Sequence, residues 1–351
     1  MVEKLGTTLA GMPDVEVHCI GFPVTGLYDN TPTLQLHAHS AKPFSRISVG
    51  RIVAPFRVFV KILQLKPSIL FITTHELLWV ALLSKLITRC KIIYDVQENY
   101  FYNILYTNAF PILLRPPLAL YVRCKEILSK PFVNYFILAE KSYATEMPFA
   151  RPCIVAENKL PFRIARTYKH KPSAEICHLV FSGTLAETTG VTEAIDLAEK
   201  LHEHNPSITL TLIGNCPSKR FLSKLHQRIA ACPFIRFNAG VYPIAHHLIL
   251  EALSKADAGI IIYPPNPATA GSIPTKLYEY LALHVPVIIR HNEPSHQLVK
   301  QLNAGVVLTE SHTPKMIITE LKSCNHPNKE PVIYWESVEN ELIHVAYKML
   351  S

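Results

Sequence analysis

The sequence contains no long apolar run and no targeting pattern. None of its apolar stretches reaches the roughly 18–20 residues that a membrane-spanning helix needs, and the longest, such as Leu77–Leu83, have the length of a buried element. The first residues lack the basic and then apolar pattern of a signal peptide. We therefore expect a cytoplasmic protein.

Several ligand-binding motifs are also missing. There is no GxGxxG and no GxxxxGK[ST], so dinucleotide and P-loop sites have no support. No two of the eight cysteines have CxxC spacing, which favours reduced thiols over a zinc site. No Asp-x-Asp element follows a predicted strand, as a divalent-metal site would require. The sequence predicts no metal site and no required cofactor.

The composition suits two domains with an uneven charge. The chain has 351 residues, of which 49% are hydrophobic, and this length exceeds what one core usually organises. The net charge is +8. Residues 1–160 carry 17 basic and 11 acidic side chains, and residues 161–351 carry 18 and 16. The basic first half suits an anionic membrane surface or a phosphate-bearing acceptor, or serves ordinary solubility.

Short β-branched runs alternate with helix-length amphipathic stretches, which is typical of parallel sheets with crossover helices. In the first half the predicted strands are Glu16–Gly21, Ile69–Thr73, Lys91–Asp95, Tyr135–Leu138 and Cys153–Val155. In the second half they are His178–Ser182, Thr209–Ile213, Ile235–Phe237, Gly259–Tyr263, Val285–Ile289 and Gly305–Leu308. The sequence thus predicts an α/β protein in which the doubly wound pattern occurs twice.

A polar segment with prolines and basic residues separates the two halves, as a linker would. We predict a first domain at 1–160, a linker at 161–174, a second domain at 175–332, and a C-terminal helix at 333–351 that packs back across the seam. The first domain opens with a helical pattern, Val2–Ala10, where doubly wound domains open with a strand. A missing first strand and a variant domain both explain this.

The strongest candidate site is the segment GSIPTKLYE, which ends at Glu279. It follows a predicted strand, and open α/β sheets bind ligands at the carboxyl ends of their strands. Ser272 and Thr275 can cap the helix that begins here, and its N-terminus attracts phosphate. Lys276 opposes the helix dipole, which suggests a bound anion, and Glu279 on the same face can accept from ribose hydroxyls. An exposed Lys–Glu pair on an ordinary helix is the alternative.

Further motifs of the second half occur in a recognisable order over roughly residues 178–310. They are the Gly183-Thr184 turn, the strand ITLTLIGN, the segments Phe237–Val241 and Lys255–Gly259, and PTKLYEYLALHVPVI. Together they resemble the donor domain of the family-four retaining GT-B glycosyltransferases of bacterial surface-glycan synthesis. The first half resembles the family more loosely, in SILFITTHE and KIIYDVQE. The resemblance implies a GT-B fold with two Rossmann-like, doubly wound parallel-sheet domains that face each other across a cleft.

The resemblance also implies a donor site and a reaction. It assigns Glu279 to the ribose of the donor, and Lys276 with the helix N-terminus to the diphosphate. Gly183 and Thr184 approach the phosphates, and the backbone at Gly240–Val241 contacts the nucleobase. The implied donor is a nucleotide-diphosphate sugar, with UDP or GDP as the expected nucleotide. The implied reaction transfers a hexose-type sugar, with retention of configuration, to a glycan or lipid-linked acceptor.

The sequence departs from the family pattern at four positions. Gly271 replaces a glutamate, Thr184 and Thr189 stand near an expected arginine and lysine, and Gln97 replaces a histidine. The diphosphate charge must then be met by Lys276, helix dipoles or another cation. A non-catalytic binding protein and a sugar-nucleotide isomerase on the same fold are the alternative functions.

On the acceptor side, polar side chains follow two predicted strands and could position an acceptor hydroxyl. Capping of the next helix or loop is the alternative for each. These residues are His75, Glu76, Asp95, Gln97 and Glu98.

Two basic amphipathic stretches, Arg51–Lys66 and Pro111–Lys130, have the pattern of helices that lie on anionic lipid. Core-facing helices with cations that extend to solvent are the alternative. The first interpretation predicts peripheral contact with the inner face of the cytoplasmic membrane. Nucleic acid is not an expected partner, because the basic stretches lack a patterned aromatic platform.

Overall fold

The computed structural model describes residues 2–21, 36–40, 49–108, 110–168, 170, 175–324 and 331–350. It divides the chain into two compact units, Met1–Asn158 with Trp335–Ser351, and Lys159–Tyr334. Every strand pair in the described residues is parallel, so the predicted α/β class is confirmed. None of the described helices is long and apolar enough to cross a membrane.

The first unit opens with a π-helical turn, Val2–Gly6, that continues into a short α-helix. Its strands are β1 Val17–Gly21, β2 Leu36–Ser40, β3 Ile69–Ile72, β4 Lys91–Val96, β5 Tyr135–Leu138 and β6 Cys153–Val155. Its helices are α1 Thr7–Ala10, α2 Val49–Leu65, α3 Leu78–Thr88, α4 Tyr100–Tyr106, α5 Arg115–Ser129 and α6 Tyr143–Glu146. Strands β1 and β2 pair with each other, and β3-β4-β5-β6 form a second sheet in that order.

The four-stranded sheet is buried on both faces, as a parallel sheet requires. Successive side chains of a strand point to opposite faces. On one face Tyr94 packs in a cluster with Leu78 of α3. On the other face Ile93 packs in a cluster with Leu5 and Leu9 of the N-terminal helical turns.

The second unit contains one six-stranded sheet in the order β9-β8-β7-β10-β11-β12. Its strands are β7 His178–Thr184, β8 Thr209–Asn215, β9 Ile235–Gly240, β10 Ala258–Ile261, β11 Val287–Arg290 and β12 Gly305–Leu308. Its helices are α7 Phe162–Ala165, α8 Val191–His204, α9 Lys219–Ile229, α10 His246–Ser254, α11 Thr275–Ala282, α12 Glu293–Gln301 and α13 Pro314–Lys322. In chain order this is the doubly wound order 3-2-1-4-5-6, whose switch point lies between the first and fourth strands, here β7 and β10.

The boundaries of the units differ from the predicted domain limits. Residues 161–168, predicted as linker, belong to the second unit, because α7 forms there and Ala165 is buried in the core of that unit. Residues 169 and 171–174 of the predicted linker lie outside the described residues. The last helix, α14 Glu336–Leu350, belongs to the first unit, where Leu342 and Val345 join the cluster that contains Ile93.

Candidate functional site

The carboxyl edge of the second sheet brings three strand ends into register. Thr184 at the end of β7 pairs with Asn215 of β8, which in turn pairs with Gly240 of β9. The switch point lies between β7 and β10. The connections that follow these two strands run in opposite directions, which leaves a crevice at the carboxyl ends of the strands. Of the predicted donor residues, Gly183 and Thr184 therefore stand at the switch point, and Gly240 and Val241 stand two strands away.

Glycines allow the backbone to pack tightly at this edge. Gly190 has φ of +77°, and a Cβ there would lie 1.8 Å from the carbonyl oxygen of Ile262. Gly214 has φ of +148°, and a Cβ there would lie 1.7 Å from the carbonyl oxygen of Gly183. Only glycine fits both positions, because any side chain would collide with backbone atoms.

Lys276 extends from the first turn of α11 toward the end of β7. A Cβ on Gly183 would lie 3.9 Å from the Lys276 Nζ, so the absence of a side chain at Gly183 leaves the ammonium next to bare backbone. Lys276 is 7% exposed, and its Nζ is buried without a hydrogen-bond partner among the described residues. A buried ammonium without a partner is costly, which makes Lys276 a candidate anion-binding group.

Two aromatic rings enclose the Lys276 ammonium. Its Nζ lies 4.2 Å from the centroid of the Phe181 ring and 4.9 Å from that of Tyr263, within the range of cation–π attraction. Burial lowers the pKa of Lys276 to about 7, and the nearby Glu279 opposes this only in part. Burial also raises the pKa of Tyr263 to about 12, so this hydroxyl stays neutral near pH 7.

Glu279 lies one turn after Lys276 and has a different partner. The Glu279 Oε1 is 3.1 Å from the Nε2 of His246, the first residue of α10. The Glu279 side chain is 14% exposed. The contact ties the carboxylate to the segment that follows β9, and it leaves the second carboxylate oxygen available to a ligand.

The start of α11 differs from the expected capping. Pro274 occupies the N-cap position, and no side chain makes a capping hydrogen bond, whereas the sequence predicted caps from Ser272 and Thr275. Proline cannot cap through its side chain. With Pro274 at the N-cap, Thr275 is the first residue of the helix and Ser272 lies two residues before the N-cap. No side chain caps the first turn, and the Leu277 amide donates to the Pro274 carbonyl oxygen at 2.8 Å. Amides at a helix N-terminus that lack such a partner attract anions.

The threonines that replace the expected basic residues stabilise the turn after β7. The Thr189 hydroxyl donates to the carbonyl oxygen of Thr184 at 2.8 Å and accepts from the Ala186 amide at 3.1 Å. Gly271 lies in the loop before α11, where the Ser272 amide donates to the Thr269 carbonyl oxygen. None of these departures adds a charge. Among the residues that the structure describes, Lys276 brings its ammonium next to Gly183 at the end of β7.

In the first unit, Asp95 and Gln97 lie together beside a small cavity. The Gln97 Nε2 donates to the Asp95 Oδ1 at 2.6 Å, and the Gln97 Oε1 accepts from the Asn158 Nδ2 at 3.0 Å. Burial raises the pKa of Asp95 to about 6, and the bond from Gln97 offsets part of that rise. Lys4 and Trp335 also line the cavity, whose volume of about 20 Å³ holds one or two water molecules.

The other predicted acceptor-side residues have separate partners. Glu76 forms an ion pair with Arg51, and Glu98 is exposed and accepts from the Asn103 Nδ2 at 2.8 Å. His75 packs edge-on against Tyr100, with ring centroids 4.6 Å apart. Burial, followed by the charge of Lys125, lowers the pKa of His75 to about 4. Of the five, only Asp95 and Gln97 contact each other in the described residues.

One group of side chains in the described residues could share a metal ion, although the sequence predicted no metal site. The ligand atoms of His291, Glu293 and His296 all lie within 4.8 Å of one another at the start of α12. Two of the three side chains are exposed. The exposed side chains of His291 and Glu293 are therefore not held in place by packing.

Three residues of the donor-side arrangement were not predicted from the sequence. His246 has the appearance of a loop residue, and only the fold brings it to Glu279. Phe181 and Tyr263 belong to strand patterns that predict core positions. An available signal was the aromatic residue near the end of each of the two strands that flank the switch point: Phe181 lies within β7, and Tyr263 follows β10.

No family model matches the chain, and no curated protein matches its sequence. Solved structures do match it. Sucrose-phosphate synthase from Thermosynechococcus elongatus has a TM-score of 0.70 at 12% identity, over 99% of this chain and 92% of that one. HepE from Anabaena, solved with UDP-glucose, has a TM-score of 0.62 at 14% identity, over 90% of this chain and 86% of that one. The pneumococcal O-GlcNAc transferase GtfA, solved with UDP and GlcNAc, has a TM-score of 0.55 at 11% identity, over 85% of this chain and 60% of that one. The chain therefore has the GT-B fold, with two Rossmann-like units, and resembles the GT-B glycosyltransferases.

Proposed function

We propose that the protein is a glycosyltransferase that binds a nucleotide-diphosphate sugar in its second unit and transfers the sugar to a glycan or lipid-linked acceptor. The observation that carries the proposal is the buried Lys276 ammonium at the switch point, which lacks a hydrogen-bond partner among the described residues. A diphosphate supplies the negative charge and the acceptor oxygens that this group lacks.

The proposed donor site uses the groups around Lys276. Lys276 and the start of α11 at Thr275, with Ser272 in the loop before it, bind the diphosphate. Gly183 and Thr184 let the phosphates approach the end of β7. These contacts combine a cation, a helix N-terminus and bare backbone, which is the usual chemistry of a phosphate site in an α/β fold.

The nucleoside would extend from the diphosphate toward β9. Glu279 accepts hydrogen bonds from the ribose hydroxyls, and His246 holds its carboxylate in place. The backbone at Gly240 and Val241 contacts the nucleobase. UDP is the nucleotide we favour, because HepE and GtfA were solved with UDP or a UDP-sugar.

Retention of configuration and the positioning of the acceptor by Asp95 and Gln97 are part of the same proposal. Retention is supported by the sequence resemblance. Acceptor positioning is supported by the bond between Asp95 and Gln97 and by the cavity beside them. In a retaining reaction of this kind the departing phosphate takes the proton of the acceptor hydroxyl, so no side chain of this chain needs to act as the base.

The first experiment is calorimetric titration of the purified protein with UDP, GDP, ADP and CMP. We expect one of them to bind, and we expect Glu279→Gln to weaken that binding about tenfold or more because a ribose carboxylate makes charge-assisted hydrogen bonds. Lys276→Met removes the cation and should weaken binding further. Glu251→Gln is the matched control, since this glutamate of α10 is exposed and pairs only with Lys255 in the described residues.

Incubation with the matching nucleotide sugar separates the alternative functions. Binding without turnover would identify a non-catalytic binding protein. Release of free nucleotide from the matching nucleotide sugar supports a transferase, because these enzymes hydrolyse their donor slowly when no acceptor is present. Conversion of the sugar with the nucleotide still attached would identify an isomerase. No binding of any of the four nucleotides to the folded protein would refute the donor-site assignment.

A further inference from the structure

Helix α3 of the first unit carries large apolar side chains on its outward side. Trp79, Leu83, Leu86 and Ile87 are 45%, 51%, 68% and 63% exposed. Their spacing of four, seven and eight residues places them on one face of the helix. The opposite face contains the buried residue Ala81, which packs on the sheet.

Helix α5 and the 3-10 turn before it have a similar outward side. Leu113 in the turn is 86% exposed, and Leu120, Ile127 and Leu128 of α5 are 58%, 47% and 64% exposed. The inward side of α5 contains the buried Val122. Exposed apolar residues are common singly, whereas contiguous exposed patches mark interaction sites.

The two outward sides form one surface. Helix α3 connects β3 to β4 and α5 lies between β4 and β5, so right-handed crossovers place both helices on the same face of the sheet. Contacts confirm the placement. The Lys85 Nζ of α3 donates to the carbonyl oxygen of Phe132, just after α5, at 2.7 Å, and the Tyr94 hydroxyl of β4 donates to the Glu126 carboxylate of α5 at 3.0 Å. We call this surface the α3–α5 face and define it by Trp79, Leu83, Leu86, Ile87, Leu120 and Leu128.

The charges around the α3–α5 face have one sign. Residues 77–93 contain Lys85, Arg89 and Lys91 and no acidic residue. Residues 111–133 contain four cations and one acid, Glu126. Lys125 and Glu126 are buried, at 5% and 2% exposed, and Arg123 pairs with Glu126, so Arg115 and Lys130 are the cations of this segment that remain. Arg89 and Lys130 are exposed at the ends of their helices. The face thus combines apolar side chains with cations and presents no exposed carboxylate from these two segments.

We propose that the α3–α5 face docks on an anionic lipid bilayer. Apolar side chains that enter the headgroup boundary, together with cations that meet anionic headgroups, are the two contributions that hold a protein at a membrane surface. A second copy of the chain fits less well, since it would set the same cations against each other. The proposal concerns the first unit alone and does not depend on the donor site.

The test is co-sedimentation of the full chain with phosphatidylcholine vesicles that contain or lack phosphatidylglycerol. We expect binding to the anionic vesicles that weakens with salt. Replacing two apolar anchors, in the double variant Leu86→Glu and Leu128→Glu, should weaken it about tenfold or more. The double variant Arg89→Gln and Lys130→Gln should weaken it about tenfold to thirtyfold, at about 1 kcal/mol for each cation.

Leu248→Glu is the matched control, because this leucine of α10 is 44% exposed but lies in the second unit. It should bind vesicles as the wild type does. Circular dichroism and nucleotide binding of each variant verify that it is folded. Wild-type protein that stays in the supernatant with anionic vesicles at low salt would overturn the proposal. So would a wild-type dimer in sedimentation velocity that the leucine double variant converts to monomer, because the face would then bind a second copy.

Discussion

Lys276→Met is expected to stabilise the folded protein while it removes nucleotide binding. In the wild type, the second unit must bury an ammonium among Phe181 and Tyr263 without a hydrogen-bond partner in the described residues. Methionine fills a similar volume and carries no charge. The variant therefore removes the cost of burying a cation and keeps most of the packing.

The size of the effect follows from the pKa of Lys276. Burial lowers it from 10.5 to about 7, which corresponds to about 5 kcal/mol of unfavourable interaction with the charged form. Cation–π attraction between the Lys276 ammonium and the two rings offsets part of that cost. We therefore expect Lys276→Met to raise the free energy of unfolding by about 2–5 kcal/mol at pH 7 or below.

The gain should depend on pH in a defined direction. Below pH 7 the lysine is charged in both the folded and the unfolded states, so the wild type bears the full cost of burial. Between pH 7 and 10.5 the unfolded chain binds the proton and the folded chain releases it, so wild-type stability rises with pH in this window. The advantage of Lys276→Met should accordingly decrease as the pH rises from 7 toward 10.5.

Urea unfolding followed by far-ultraviolet circular dichroism, at about pH 6 and about pH 9.5, measures this advantage. Trp79 and Trp335 are the two tryptophans of the chain, and both lie in the first unit, so tryptophan fluorescence follows that unit separately. Lys255→Met is the control, because Lys255 is a surface lysine in the same unit. A variant that is less stable than the wild type at pH 6, or an advantage that does not change with pH, would refute the burial argument.

Two further predictions concern stability. Gly190→Ala should lower the free energy of unfolding by about 2–4 kcal/mol, because its Cβ would collide with the Ile262 carbonyl oxygen, whereas Gly240→Ala, with no atom within 4 Å of its Cβ, should change it by about 0.5 kcal/mol or less. Equal effects in thermal or urea unfolding would contradict this. Asp95→Asn should stabilise the protein by about 3 kcal/mol above pH 6 and have no effect below pH 3.8, since burial raises the pKa of Asp95 from 3.8 to about 6. A gain that persists in acid would exclude this explanation.

Much of the strand pattern could be predicted from the sequence, because β-branched runs identify buried parallel strands directly. Tyr135–Leu138 and Gly305–Leu308 were predicted with the bounds that the structure has. Strands β7 and β8 run two residues further than predicted, through Gly183 and Gly214. Glycine indicates a turn in a sequence, but here the missing side chains let two strand ends approach each other.

The elements that were missed have weaker local signals. Strand β2, Leu36–Ser40, has the sequence LHAHS, which contains no β-branched residue. Helix α4 spans only Tyr100–Tyr106 and is rich in aromatic residues, which have modest helix propensity. Its stability comes from packing against α5, a tertiary contact that a local pattern does not contain.

The candidate site shows the same limit. Lys276 and Glu279 could be found because a helix start that follows a strand has a sequence signature. The ring of Phe181 and the imidazole of His246 could not, because their distance to these residues in the chain exceeds thirty residues and only the sheet order brings them together. The partners of His75 and Glu76 are likewise set by the fold, because Tyr100 and Arg51 each lie 25 residues away in the chain.

Because α14 belongs to the first unit, the two units are completed in a particular order during synthesis on the ribosome. The second unit is one continuous segment, Lys159–Tyr334, whereas the first needs both Met1–Asn158 and the last helix, which bonds back through Glu339 to Thr8 at 2.6 Å. At roughly 5–20 residues per second, synthesis of the intervening segment takes on the order of 10–35 seconds. During that interval the hydrophobic face that receives Leu342 and Val345 is uncovered. The unit that begins first during translation is therefore completed last, after all of the other unit has been made.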